Sequence, residues 1–591
     1  MPTDSIVARL LGQANRRPHH PAYFVKRDGG WRPVTYGDYG NQVCSAARAL
    51  VALGVEAGEN VCILGFNRPE WAIFNFAAMA AGGAAVGIYT TSSAEEVAYI
   101  LGHAEARVVL VEDQAQWQKV ASHWHELPRL ERIVLMSGAQ VDDPRTLTWE
   151  AFSALAESVP VEQIHGRIDA LQPDDLATLI YTSGTTGPPK GVMLSHKNLT
   201  WTATLAGNLV RLDEYDCTLS YLPLSHIAEQ IFTLHGAVTY GYMVYFAESL
   251  EAVRDNLVEV EPTVLFAVPR IWEKFHAGIE GKLTSASPAK KALFSWATGV
   301  GRRYHALRNA SQAVPGILQL QHRLASRLVY SRVKGALGLG RLRFAVSGAA
   351  PISAGILEFF SGLDIVVLEV YGQSEDTGPT SFNRPGCTSF GTVGPPVPGV
   401  DVRIADDGEI LVRGPNVFLG YYKDPEATAQ TLKEGWLYSG DLGRIDDRGF
   451  LHITGRKKEI IITAGGKNIA PKNIENALKE DPMVNEAVII GDRRKYLSAL
   501  IWLDPDAAAR LASEYAVSVT QITSHTTVLQ TIQVLADGVN RQFAQVEHIR
   551  RFTLLLGPLS VDDGELTPTL KVKRQVIATR YAAQIETMYD P

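Results

Sequence analysis

Cysteine is scarce in this chain. Cys44, Cys62, Cys217 and Cys387 are spread over 591 positions, so no metal or redox pair suggests itself. Reduced thiols in a cytoplasmic protein are expected. A strong charge bias is also missing. The 56 Lys and Arg against 63 Asp and Glu leave a net charge of −7, which argues against a general nucleic-acid binder. The N-terminus, MPTDSIVARLLGQANRRPHH, lacks the apolar core of a signal peptide. Only residues 71–89 are apolar enough to raise the question of a membrane span. Asn75, Gly82, Gly83 and Gly87 break that stretch into a helix-like half and a strand-like half, so a buried helix–turn–strand is expected. No short-period repeat and no low-complexity tract stands out.

What is present is an ordinary globular composition, 46% apolar and 20% charged, in a chain too long for one hydrophobic core. At least two domains follow. Runs such as NVCILGF, RVVLVE, RIVLM, VLFAV, LRFAVSG and DIVVLEVYG are nearly continuous in Val, Ile and Leu. Strands covered on both faces read this way, and their alternation with helix-like stretches predicts large α/β layers. From Gly399 the character changes. Two hairpins are expected, one turning at Asp407-Gly408 and one at 447–449, which together make a β-rich subdomain. A boundary near 455–459 leads into a compact α+β pattern. There Pro471 opens a helix, EAVIIGD and SALIWLD read as strands, and Asp504-Pro505 starts another helix.

The stretch YTSGTTGPPKGVMLSH, 181–196, carries the strongest chemical signal. The strand-like run 176–181 enters a loop of small hydroxyls and glycines that ends at Lys190. Thr182, Ser183, Thr185 and Thr186, free backbone N–H groups and one ammonium can surround a polyphosphate, while Gly184, Gly187 and Gly191 keep Cβ atoms out of the way. Lys190 is followed by Gly191, so the Walker spacing is absent and an ordinary P-loop NTPase is disfavoured.

This segment resembles the AMP-binding signature of the adenylate-forming superfamily. The similarity runs from about Tyr36 to Arg574. Within the superfamily the chain looks most like the long-chain fatty acyl-CoA synthetases, the bubblegum-like branch among them. The resemblance implies an α/β fold with a multi-layer N-terminal domain, 1–455, and a small mobile α+β C-terminal domain, 456–591. It implies an acid–thiol ligase that uses ATP, Mg²⁺ and CoA. A fatty acid is activated to acyl-AMP and pyrophosphate, then passed to CoA. The alternatives are a fatty acyl-AMP ligase that serves a carrier protein, and a non-catalytic lipid-binding relative.

Residue roles follow from the same resemblance. Lys190 and the hydroxyls at 182–186 would hold the β and γ phosphates, Thr186 with a catalytic part. Gly348, Ala349 and Ala350 in VSGAAP would lie against adenine. In VYGQSEDTG, Tyr371 would stack near the adenine, Gly372 would belong to the nucleotide site, Ser374 would meet phosphate, and Glu375 would hold Mg²⁺. Gln373 and Asp376 depart from many relatives, and Asp376 competes as a supporting acid. Asp441 in GWLYSGDLG would accept the ribose hydroxyls, with Arg456 reaching the ribose or phosphate. Lys458 falls at the hinge. Lys571 in GELTPTLKVKR would bridge the carboxylate and the α-phosphate, with Lys573 as its rival. His226 in YLPLSHIAEQ would stand beside the acyl carboxylate or serve only as a structural residue; no general base is required, because the carboxylate is already ionised. After domain rotation Gly465 and Gly466 in TAGGKN would line the pantetheine tunnel.

Residues 281–343 hold a dozen Lys and Arg and no Asp or Glu. Two or three basic-faced helices are expected. They are read either as a solvated surface, as a peripheral contact with an anionic membrane, or as a site for CoA phosphates. A homodimer stays open, since nothing in the sequence fixes the oligomeric state.

Overall fold

The apolar runs become strands that contribute alternate side chains to two cores. The computed structural model describes residues 4–182, 188–561 and 563–590. Its largest sheet orders eight strands as Gly420–Tyr421, Lys190–Ser195, Leu176–Thr182, Ala84–Ile88, Asn60–Leu64, Val108–Val111, Arg132–Leu135 and Thr146–Leu147. The six from Leu176–Thr182 onward are parallel, and the first two join antiparallel. Val61 and Ile63 point into one core, and Cys62 and Leu64 into the other. Each such fully buried aliphatic side chain contributes about 1.5–3 kcal/mol. The 71–89 stretch is the helix Pro69–Ala80 and the strand Ala84–Ile88, with Gly82 at φ 86 in the turn. No helix among the described residues is long and apolar enough to cross a membrane.

A second sheet orders Val264–Phe266, Phe344–Ser347, Val367–Tyr371 and Ser381–Phe382. Loops at its strand ends supply much of the site. A third, with the order Cys217–Ser220, Met243–Phe246, Pro21–Arg27, Gly30–Thr35, joins strands that lie far apart in sequence. The antiparallel sheet of Asp401–Ile404, Glu409–Arg413, Trp436–Ile445, Leu432–Lys433 and Leu451–Arg456 contains both expected hairpins. Gly408 and Gly449 take left-handed φ values of 85 and 83 in their turns.

Beyond Arg456 a three-stranded sheet, Val484–Ile490, Leu497–Leu503, Ile549–Leu555, packs with the helices Pro471–Lys479 and Thr526–Asn540. Asp504 caps the helix Pro505–Glu514 by accepting from the N–H groups of Asp506 and Ala507. The buried members of the two cores in this part all lie within 461–588, and those of the other cores within 6–451. The basic segment is helical as expected: Pro288–Asn309, Gly316–Ala325 and Ser331–Ala336, with a π-helical turn at Ser326–Tyr330.

Candidate active site

Thr182 ends one strand and pairs with Lys190, which begins the next. The strands that flank the glycine- and hydroxyl-rich stretch are therefore antiparallel neighbours, and the element after it is a strand, whereas a helix follows the loop of a P-loop NTPase. Ser183, Gly184, Thr185, Thr186 and Gly187 lie outside the described residues. Lys190 is half exposed, with its Nζ 3.8 Å from Asp424 Oδ2 and 5.0 Å from the centre of the Tyr421 ring. The Tyr421 hydroxyl donates to Glu375 Oε1 at 2.8 Å. One tyrosine thus links Lys190 to the acid expected to meet a metal. Sequence reasoning missed Tyr421. Its only signal is a YYKDPEAT stretch whose strand, Gly420–Tyr421, pairs with the strand that carries Lys190.

Glu375 Oε2 has no hydrogen-bond partner among the described residues. A carboxylate with one free oxygen fits a hard divalent ion whose other ligands come from a bound anion and water. Asp376 does not compete for that position. It is fully buried, accepting from the Gln373 N–H and the Thr380 hydroxyl at 2.6 Å each, and burial pushes its carboxyl up to about 8. It braces the loop. Gly372 is needed at the same turn, since a Cβ there would lie 1.3 Å from the Gly378 carbonyl oxygen. Ser374 is buried beside it.

Asp441 is positioned by three groups. The Tyr371 hydroxyl and Gln373 Nε2 donate to its Oδ2 at 2.9 and 3.0 Å, and Arg456 Nε stands 3.7 Å from Oδ1. Asp441 and Arg456 are also facing partners on adjacent strands. Oδ2 already accepts two donors, so Oδ1 is the oxygen placed to take new ones. Burial pushes the Asp441 carboxyl above its ordinary range, against the opposing pull of Arg456, Tyr371 and Lys571. Gln373, noted in the sequence only as a departure, orients this acid. Tyr371 is buried and held by its hydroxyl, so its role includes fixing Asp441.

Gly348 is buried, and a Cβ on it would lie 2.6 Å from Val370 Cγ1. The exposed Ala349 next to it takes φ 66, a left-handed conformation uncommon for alanine. That backbone kink leaves Ala349 and Ala350 exposed at the end of the second sheet.

His226 caps the helix Ile227–Glu229, its Nδ1 accepting from the Ala228 N–H at 3.1 Å. The proton of the neutral ring is then on Nε2, a donor. Burial and the nearby Lys571 ammonium lower its pKa to about 4, so the ring is neutral near pH 7. The loop that carries it packs on the strand Ala84–Ile88 at Gly87, where a Cβ would come 2.7 Å from Ser225 Cα.

Lys571 arrives from the other end of the chain. Its backbone N–H donates to Thr567 Oγ1 and its carbonyl accepts from the Thr567 N–H, which closes a tight loop with Leu570 at φ 59. The Thr91 hydroxyl donates to the Pro568 carbonyl at 2.8 Å and fastens this loop to the N-terminal part. Lys571 is walled by protein yet open to solvent. Desolvation by the walls and the Arg456 charge lower its ammonium pKa, against the raising pull of Asp441, Glu459 and Glu375. Arg574 is tied to Glu475 and to the Ile489 carbonyl.

Lys457 is anchored to Asp407 and Glu409 at 2.6 and 2.9 Å, whereas the next residue, Lys458, has no side-chain partner among the described residues. Gly465 and Gly466 lie in the exposed turn between Ile461–Ile462 and Asn468–Ile469, and the turn's hydrogen bonds stay within 463–494. The structure does not bring them to Lys571.

The AMP-binding enzyme family model matches residues 10–422, and that of the AMP-binding enzyme C-terminal domain matches 458–591. The chain belongs to the AMP-binding enzyme family. It is 38% identical over 612 residues to long-chain-fatty-acid–CoA ligase ACSBG2 of Xenopus laevis, a match covering 98% of this chain and 82% of that protein. It is 37% identical over 597 residues to long-chain-fatty-acid–CoA ligase FadD15 of Mycobacterium bovis, covering 99% and 97%. Among solved structures it is similar to the anthranilate CoA ligase AuaEII in complex with anthranoyl-AMP, with a TM-score of 0.72 at 22% identity over 98% and 97% of the chains. ATP-bound MatB from Rhodopseudomonas palustris gives 0.69 at 24% over 98% and 99%. The adenylate-forming fold expected from the signature is the fold observed.

Proposed function

We propose that this AMP-binding enzyme is a long-chain fatty acid–CoA ligase that works in two steps. The observation that carries the reading is the docking of the Lys571 loop on Thr91, which leaves Lys571 within the electrostatic reach of Asp441, Glu375 and Arg456. A fatty carboxylate and ATP are both anions, so the first task is to offset their repulsion. Lys190 and the hydroxyls at 182–186 hold the β and γ phosphates. Asp441 and Arg456 hold the ribose, and Gly348 to Ala350 support the adenine. Glu375 would hold Mg²⁺, which when bound would neutralise phosphate charge. A carboxylate oxygen then attacks the α-phosphorus while the bond to the pyrophosphate oxygen breaks. Lys571 stands by both anions and stabilises the charge that develops. His226 offers an Nε2–H to the carboxylate and takes no proton.

In the second step the part beyond Lys458 turns about that residue, with Lys457 still anchored to Asp407 and Glu409. Lys571 withdraws, and Gly465 and Gly466 reach the pantetheine arm. The thiol loses its proton and attacks the acyl carbonyl, and AMP leaves. A domain limit at 455/456 belongs to this reading. It is supported by the separate hydrophobic cores and by the family match that begins at 458. The substrate class is supported by the names of the relatives. The test is AMP release with palmitate, ATP and Mg²⁺. Release that requires CoA and yields palmitoyl-CoA supports the ligase, whereas palmitoyl-AMP that accumulates whether or not CoA is present points to transfer to a carrier protein.

A further inference from the structure

Most cations of 281–343 have no counter-charge among the described residues. Of the twelve Lys and Arg, only Lys334 and Arg343 pair with a carboxylate among the described residues. The same segment carries a row of apolar side chains on its surface: Ile317, Leu320, Leu324 and Leu328 are 68%, 63%, 49% and 37% exposed. Their spacing follows one side of the helix Gly316–Ala325 into the π-helical turn. The opposite side of that helix is already used, with Leu318, Ala325, Val329 and Tyr330 buried against Ala297 and Val300 of Pro288–Asn309. Exposed Arg323 and Arg327 precede Leu324 and Leu328 along the ridge. A single exposed leucine is ordinary, but a row of four among unpaired cations is not.

The ridge is held firmly from behind. His305 and His322, on the two longer helices, both donate through Nε2 to Asp364 Oδ1 at 2.8 and 3.1 Å, and Lys334 donates to Oδ2 at 2.7 Å. Burial would raise the Asp364 carboxyl, but these three partners hold it well below the usual range. With an ammonium on its second oxygen the cluster repels a further cation, so it is a clamp. The Tyr330 hydroxyl also donates to the Ala297 carbonyl at 2.6 Å. The side that faces the protein is fixed, and the apolar ridge is presented outward.

We propose that the ridge formed by Ile317, Leu320, Leu324 and Leu328 enters the acyl boundary of an anionic membrane, with Arg323, Arg327 and the neighbouring unpaired cations on headgroup phosphates. An interfacial helix needs this pairing of an apolar stripe with basic flanks. The unpaired cations are spread over all three helices, and such a broad field matches a planar anionic surface better than one acidic pocket. The inference rests on the fatty-acid reading only for its benefit, since that substrate partitions into lipid. Binding itself requires no turnover.

The experiment is co-sedimentation of the full chain with phosphatidylcholine vesicles, with and without phosphatidylglycerol. The expected result is binding to the mixed vesicles at low salt, weakened by added salt, and little binding to phosphatidylcholine alone. Leu320→Glu with Leu324→Glu abolishes binding, and Arg323→Gln with Arg327→Gln lowers partitioning by about five-fold for each arginine. Both double variants keep their melting temperature and their diphosphate–ATP exchange with palmitate. No wild-type binding to mixed vesicles at low salt overturns the proposal, and so does a leucine variant that binds as well as wild type. A dimer that the leucine variant dissolves, with no vesicle binding, makes a second copy the occupant instead. Vesicle binding without exchange leaves the surface standing and removes the ligase reading.

Discussion

Two groups of positive charge in this protein are built differently. Lys190 and Arg456 face internal partners, Asp424 and the Tyr421 ring for the first and Asp441 for the second, and Lys571 lies in the field of Asp441, Glu459 and Glu375. Most cations of 281–343 face no carboxylate among the described residues. A cation set among carboxylates and hydroxyls is oriented before any ligand arrives, and orientation is what a reaction needs. A cation without a counter-charge keeps its reach and waits for an external anion. The acidic partners therefore separate a site for chemistry from a surface for contact, even though both regions are basic.

The strongest way to break this comparison is Lys571→Ala. Diphosphate–ATP exchange with palmitate is expected to fall by about 10²–10³-fold, the loss typical of one preorganised charge-stabilising donor. Thioester formation from supplied palmitoyl-AMP changes little. Equal damage to both steps contradicts the role. Asp441→Asn comes next, with the KM for ATP raised by about 10–100-fold, since a hydrogen bond to a charged group is worth about 1.5–3 kcal/mol. Steady-state kinetics at saturating palmitate would show it. Tyr421→Phe removes the hydroxyl from Glu375 and leaves the ring under Lys190. A loss of about 3–10-fold in exchange is expected, matching about 0.5–1.5 kcal/mol for one hydrogen bond.

A pH profile sharpens the same contrast. The Lys571 pKa is lowered, so its charge is lost as pH rises through a value below the ordinary lysine range near about 10.4. The kcat/KM for ATP, which reports the free enzyme, therefore declines early on the alkaline side, and Lys571→Arg moves that limb upward. The smallest effect concerns Asp376. Its folded pKa of about 8 exceeds the unfolded value near about 3.9, so the folded state keeps a proton that the unfolded chain releases. Its contribution is fully present below the unfolded value and is lost as pH rises through the folded one. Asp376→Asn abolishes this dependence. Urea unfolding at about pH 5 and about pH 8 should differ between wild type and variant by about 1–3 kcal/mol.

Much of this was legible in the sequence because the signals are local. The strand runs, the turns at Asp407-Gly408 and 447–449, the cap at Asp504 and the helix–turn–strand at 71–89 each depend on a few neighbouring residues. What could not be read joins distant segments. The sheet that pairs Pro21–Arg27 with Met243–Phe246 spans more than two hundred residues, and the Asp364 clamp draws on four separate elements. Tyr421 carries no motif of its own, and its partners Lys190 and Glu375 come from elsewhere in the chain. Gln373 looked like a deviation because Asp441 lies 68 positions away.

The measurement that bears most directly on the whole reading is exchange of labelled diphosphate into ATP by the purified chain. It should be run with Mg²⁺ and with palmitate present or absent. Exchange that depends on the fatty acid, and that disappears in Lys571→Ala, is the expected result. Absence of exchange with palmitate and with every other carboxylate offered would contradict it.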